Sequence, residues 1–139
     1  MIETLKQLGI ENIIIADDSD QNIYAARQFA DSLSGINFKF YQTGDSLITD
    51  IPQKYADMDL ILTDKIMETQ DKGFDVIEVA TNYLIPTYII SGGFQHRDQS
   101  SVRVWPGMYR IDGQKNSIKT WKQILSRITR DQAQMGGKC

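Results

Sequence analysis

Residues 12–18 read Asn12-Ile13-Ile14-Ile15-Ala16-Asp17-Asp18, four apolar residues in a row, three of them β-branched, ending without transition on two adjacent carboxylates. The run is too short for a buried helix and has no polar alternation, so it predicts a strand covered on both faces, the condition of a central strand in a parallel sheet. Two later stretches repeat the pattern. Asp59 to Thr63 (DLILT) delivers Asp64, and Thr87 to Ile90 (TYII) delivers Ser91, Gly92 and Gly93.

Helical patterns separate these runs. Ser19 or Asp20 caps a helix whose apolar positions Ile23, Ala26, Ala30 and Leu33 step by three or four, with Gly35 as its terminator. Ile36, Phe38 and Phe40 alternate with polar residues as a second strand, and Thr43 and Gly44 open a weak helix that Pro52 interrupts. Phe74, Ile77, Ala80 and Leu84 mark the next helix. Beyond Ser91, residues 94–104 form a poor helix, Pro106 and Gly107 break the chain, and Met108 to Ile111 reads as a fifth strand. A last helix follows the cap Asn116 or Ser117, with Ile118, Trp121, Leu125 and Ile128 on one face, and Met1 to Leu8 forms a short helix ahead of the first strand. Strands alternating with helices imply right-handed crossovers and hence a doubly wound α/β fold, a five-stranded parallel sheet with helices on both faces. One domain is expected over residues 1–130, with a flexible tail at 131–139.

Composition narrows the class of function. Of the 18 carboxylates, 14 are Asp and only 4 are Glu, a bias toward caps, turns and cation-binding clusters over helix interiors. Cys139 is the single cysteine, so no internal disulfide exists, and with no basic leader or long apolar stretch the expectation is a cytoplasmic protein that does not span a membrane. Residues 1–96 carry 6 basic and 15 acidic groups, residues 97–139 carry 9 and 3. The basic end has no dense Lys/Arg run interleaved with aromatics, which favours a protein-docking face and not nucleic acid. His96, the one histidine, has no partner for a hydrolase triad, and no glycine-rich nucleotide motif is present. Trp105 reads equally as core or as part of a partner surface.

In an open parallel sheet, ligands sit beyond the carboxyl ends of the strands. Asp17, Asp18, Asp64 and Ser91 all fall there. Three converging carboxylates need a cation, and a hard divalent ion such as Mg²⁺ suits them because it takes one or two carboxylates and keeps positions for water and phosphate oxygen. Taken singly, each of these residues reads as well as a cap or a turn; their joint order carries the functional reading.

That order, an acidic pair after the first strand, Asp after the third, Ser after the fourth and Lys near the fifth, resembles the receiver domain of two-component response regulators. The resemblance spans about Asn12 to Ile128 and implies a flavodoxin-like sheet of order 2-1-3-4-5. It implies Asp64 as phosphoacceptor, Asp18, Asp64 and the Ile66 carbonyl as Mg²⁺ ligands, Asp17 orienting water at the metal, Ser91 at the phosphoryl group and Lys115 as the phosphate-binding lysine, with Arg110 or Lys119 as alternatives. The implied function is that of a stand-alone receiver and not an enzyme. It takes a phosphoryl group from a histidine kinase or phosphotransfer protein and signals to a downstream protein through the region after Ser91 and the last helix. The sequence departs from the family pattern in Asn116 after Lys115, in Glu68 where proline is usual, and in the distance of Tyr109 from Lys115. Two other readings stand beside it: a degenerate receiver that binds proteins without phosphorylation, and a small phosphohydrolase resembling the haloacid dehalogenase superfamily, using Asp18 and Asp20.

Overall fold

In the computed structural model, which describes residues 1–91, 108–110 and 115–135, the apolar runs become neighbouring parallel strands. The elements are α1 (Ile2–Gln7), β1 (Asn12–Ala16), α2 (Asp20–Asp31), β2 (Asn37–Tyr41), α3 (Gly44–Lys54), a 3-10 turn (Tyr55–Asp57), β3 (Leu60–Asp64), α4 (Lys72–Thr81), β4 (Thr87–Ser91), β5 (Met108–Arg110) and α5 (Ile118–Gln134). The sheet order is β2-β1-β3-β4-β5 and every pairing is parallel. The chain winds first to one side of β1 and then to the other, so the topological switch lies between β1 and β3.

The two-residue period of a strand divides the core in two. Ile13 and Ile15 pack with Leu60, Leu62, Tyr88 and Ile90 under α1, α2 and α5, while Ile14, Ala16 and Ile61 face the other way, onto Leu47, Ile51, Val76 and Ala80 of α3 and α4. Each buried Ile contributes roughly 1.5–3 kcal/mol, and because both faces of β1 are used, its register cannot slip by one residue without turning each set toward the wrong helices.

That register positions the strand ends. Ala16 is level with Thr63, so the next residues, Asp17 and Asp64, leave adjacent strands side by side. Asp64 is in turn level with Ile90, which puts Ser91 one step beyond it.

Four local expectations are corrected. Pro52 does not interrupt α3; it sits in the last turn, and the helix gives way to the 3-10 turn two residues later. A proline there removes one hydrogen bond near an end where carbonyls already lack helical partners. Leu84 does not belong to the apolar face of α4. The helix ends at Thr81, and Leu84 adopts φ 59° in the turn, 81% exposed, while the Ile85 N–H reaches back to the Ala80 carbonyl. Ile118, placed on the buried stripe of the last helix, is exposed, whereas Trp121, Leu125 and Ile128 are buried. Finally, α5 runs on through Gln134, so residues 131–134 of the expected tail are helical, while 136–139 lie outside the described residues. Along those helical residues the Tyr88 hydroxyl donates to Asp131 and accepts from the buried Gln132 amide at 2.8 Å, so hydrogen bonds hold the last turns against β4.

The expected helix at 94–104, His96 and Trp105 lie outside the described residues. Among the described residues no helix is long and apolar enough to cross a membrane. Because Tyr88 anchors the end of α5, Tyr88→Phe is expected to lower stability by about 1–2 kcal/mol and to speed amide exchange over residues 131–134. Unchanged exchange there, measured by NMR, would show that the last turns hold without the hydroxyl.

Candidate functional site

The site begins where β1 stops. Ser19 is the N-cap of α2, its hydroxyl accepting from the Asn22 N–H at 3.3 Å, and the tight turn this requires brings the Ser19 N–H to Asp17 Oδ1 at 2.9 Å. The Asn22 side-chain amide donates to both Asp17 oxygens at 3.2 Å. Asp17 is fully buried, and these bonds orient its carboxylate from the helix side. Asp20, the other cap candidate, accepts from Gln42 Nε2 at 2.5 Å, away from this cluster.

Lys115 closes the opposite side. Its ammonium lies 2.6 Å from Asp17 Oδ2 and 3.1 Å from Asp64 Oδ1, and donates to the Ile90 carbonyl at 3.2 Å. Its side chain is only 7% exposed, so the charge is held in a low-dielectric setting, where paired groups interact far more strongly than at a surface. The lysine is fixed at its backbone as well: the Trp121 indole N–H donates to the Lys115 carbonyl at 2.7 Å. Of the alternatives considered, Lys119 is exposed on α5, and Arg110 lies on β5, whose side chains are outside the described residues.

Asp64 stands at the end of β3 with its Oδ1 accepting from the Lys65 N–H at 2.9 Å. The loop that follows folds back closely. The Gly73 N–H donates to the Lys65 carbonyl at 2.9 Å, and a Cβ at Gly73 would lie 2.4 Å from the Asp64 carbonyl oxygen, so only glycine permits α4 to start against the Asp64 backbone. Ile66 in this loop is 47% exposed.

Oxygen atoms of Asp17, Asp18 and Asp64 all lie within 4.8 Å of one another. Three carboxylates thus face one ammonium. Burial raises the pKa of Asp64, with Asp17 adding repulsion and Lys115 opposing it, and partial burial followed by repulsion from Asp17 raises that of Asp18. An all-oxygen donor set with surplus negative charge, partly open through the exposed Asp18, fits a hard divalent cation that retains water, as Mg²⁺ does.

Sequence order singled out Asp17, Asp18, Asp64 and Lys115, and the fold brings all four together. Ser91 ends β4 beside them, half-buried. Sequence reasoning missed Asn22, which has no signature beyond its place in the first turn of a helix, and the tie from Trp121, which the helical stripe marks only as core.

No family model matches the chain, and no curated protein matches it. Solved structures do. A chain from the CheX–CheY–BeF3–Mg²⁺ complex of Borrelia burgdorferi superposes with a TM-score of 0.64 at 17% identity, over 86% of this chain and 87% of that one. The isolated REC domain of RcsB from Salmonella enterica serovar Typhimurium, with the phosphomimetic BeF3⁻, gives 0.60 at 17%, over 84% and 88%. A de novo designed Rossmann 2x3 fold protein gives 0.64 at 12%, over 84% and 90%. The chain spans about 60% of the length of longer RcsB structures, 59% and 61% in two of them. That a designed protein matches as well as natural receivers assigns the likeness to the fold; the chemistry rests on the strand-end cluster.

The raised pKa of Asp64 carries a sign. A carboxyl whose folded pKa exceeds its unfolded value opposes folding while ionised, fully above the raised value and progressively less as pH falls through it toward the ordinary carboxylate range. Asp64→Asn removes that charge and keeps an oxygen for Lys115, so without divalent cations it should raise stability at neutral pH. The gain should shrink in acid. Thermal melts in chelator at both pH values check this; a variant less stable than the parent at neutral pH contradicts it.

Proposed function

We propose that the chain is a phosphoacceptor of the receiver type, taking a phosphoryl group on Asp64 from a protein phosphohistidine and signalling through altered protein binding. The observation that carries this reading is the buried Lys115 ammonium shared between Asp17 and Asp64 at the switch point of the sheet, with Asp18 alongside. In the transfer, an Asp64 carboxylate oxygen attacks phosphorus, the O–P bond forms as the P–N bond of the donor breaks, and the released imidazole takes a proton from solvent.

Each residue has a part in that step. Asp17, Asp18, Asp64 and the Ile66 carbonyl would hold Mg²⁺, which when bound supplies positive charge against the phosphoryl oxygens. Lys115 balances charge on the Asp64 side, and Ser91 offers a hydroxyl from the end of β4. A dianionic group there draws on Lys115 and Ser91, and so on β4 and the start of α5. Lys119, Lys122 and Arg127, exposed on α5, form the basic face toward a downstream protein. The phosphohydrolase alternative is disfavoured because Asp20, its second carboxylate, bonds to Gln42.

Incubation with Mg²⁺ and a small phosphodonor is expected to add one phosphoryl group to the parent and none to Asp64→Asn by intact mass. An unmodified parent, or modification that survives in Asp64→Asn, overturns the assignment. Ile66, exposed beside the site, cannot hydrogen-bond an attacking water, so the acyl phosphate should be long-lived and Ile66→Asn should shorten its half-life by about tenfold, less than the roughly 10²–10⁴-fold of a general base because an amide orients the water without taking its proton. Equal decay rates would sink this.

A further inference from the structure

The β3–α4 loop is fastened to a helix that contributes nothing to the acidic cluster. Glu68 Oε1 accepts from the Gly44 N–H and Oε2 from the Asp45 N–H, both at 2.7 Å. Thr43, the N-cap of α3, takes the Ser46 N–H at 3.2 Å. The first three amides of α3 are therefore satisfied, two of them by a side chain more than twenty residues away in sequence. The bond is charge-assisted, bidentate and aligned with the helix dipole, the strong end of the range for such contacts. Lys72 reinforces it with an ammonium 2.7 Å from Asp45 and 3.7 Å from Asp75.

Between this clasp and Asp64 lie only Lys65, Ile66 and Met67. Lys65 is pinned at both ends, its N–H on Asp64 Oδ1 and its carbonyl on the Gly73 N–H. Met67 is buried against the α3–α4 core, and its N–H bonds the Thr69 carbonyl. Ile66 is the exposed residue between these fixed points, and its own side chain does little to hold its peptide in place.

We propose that Glu68 is a positioning residue for the acidic site: by gripping the N-terminus of α3 it fixes the Ile66 main chain, and with it the carbonyl that joins Asp18 and Asp64 in binding a divalent cation. This rests on the receiver reading for the cation, but not for the loop. Glu68 also adds negative charge near Asp18. Removing it would weaken cation binding through charge alone, so the test must separate charge from placement.

Glu68→Gln and Glu68→Ala do so, since both remove the charge, while Gln keeps an oxygen for one of the two helix amides and Ala keeps none. Amide exchange at residues 66–69 and at whichever of Gly44 and Asp45 keeps an oxygen partner, measured in chelator, is expected to speed at least tenfold in Glu68→Ala and less than threefold in Glu68→Gln. Mg²⁺ titrated alone should bind at least tenfold more weakly to Glu68→Ala and within about threefold of the parent to Glu68→Gln. Equal Mg²⁺ affinities for the two variants overturn the proposal in favour of charge, and parental exchange in Glu68→Ala overturns the clasp. A parent that shows no Mg²⁺ binding, with exchange responding as expected, removes the receiver reading and the metal role while the loop anchor stands. Far-UV circular dichroism checks that α3 persists in both variants.

Discussion

A single ammonium shared by two carboxylates at the mouth of a parallel sheet is the constraint around which the rest of this molecule is arranged. Burying Asp17 completely is tolerable only because Lys115, the Ser19 N–H and the Asn22 amide meet it, and a lone buried carboxylate would be neutralised or expelled. Lys115 comes from the far end of the chain. The charge pairing therefore ties α5 to β1 and β3 and makes the final helix part of the sheet edge.

The two-sided core makes that pairing precise. Ile13 and Ile15 commit to one layer of helices and Ile14 and Ala16 to the other, so the level at which β1 releases Asp17 is fixed by packing on both faces. Gly73 does the equivalent on the next strand by letting the start of α4 press against the Asp64 backbone. Stability here is not spent on relieving the carboxylates. Burial, with repulsion from Asp17, raises the pKa of both Asp64 and Asp18, the kind of local cost that marks sites kept for chemistry.

How much of this was legible follows from the range of each interaction. The strands announce themselves because a buried parallel strand must be apolar throughout, and Asp17, Asp64 and Ser91 stand out as the first polar residues after such runs. Lys115 is legible only by its order relative to them, since nothing local separates it from Lys119. The Glu68 grip is invisible beforehand because it pairs residues distant in sequence, with no periodicity or spacing to betray it, and the Asn22 amide, though only five residues from Asp17, has no signature that marks it as a partner. Leu84 and Ile118 misled for a related reason. Helical spacing says which positions share a face, but not where the helix stops or whether its first turn is covered. Pro52 is the converse, a breaker whose effect is slight because it falls where α3 is already ending.

The indole of Trp121 donates to the carbonyl of the same lysine whose ammonium bridges the two aspartates. An indole's emission depends on the hydrogen bond at its nitrogen and on the charges near its ring, so this chromophore is wired to the site's central cation through one residue's backbone. The chain contains two tryptophans, the other being Trp105. With Trp105 replaced by Phe, the remaining fluorophore is a built-in optical gauge of Lys115, reading displacement at the sheet edge without an attached label.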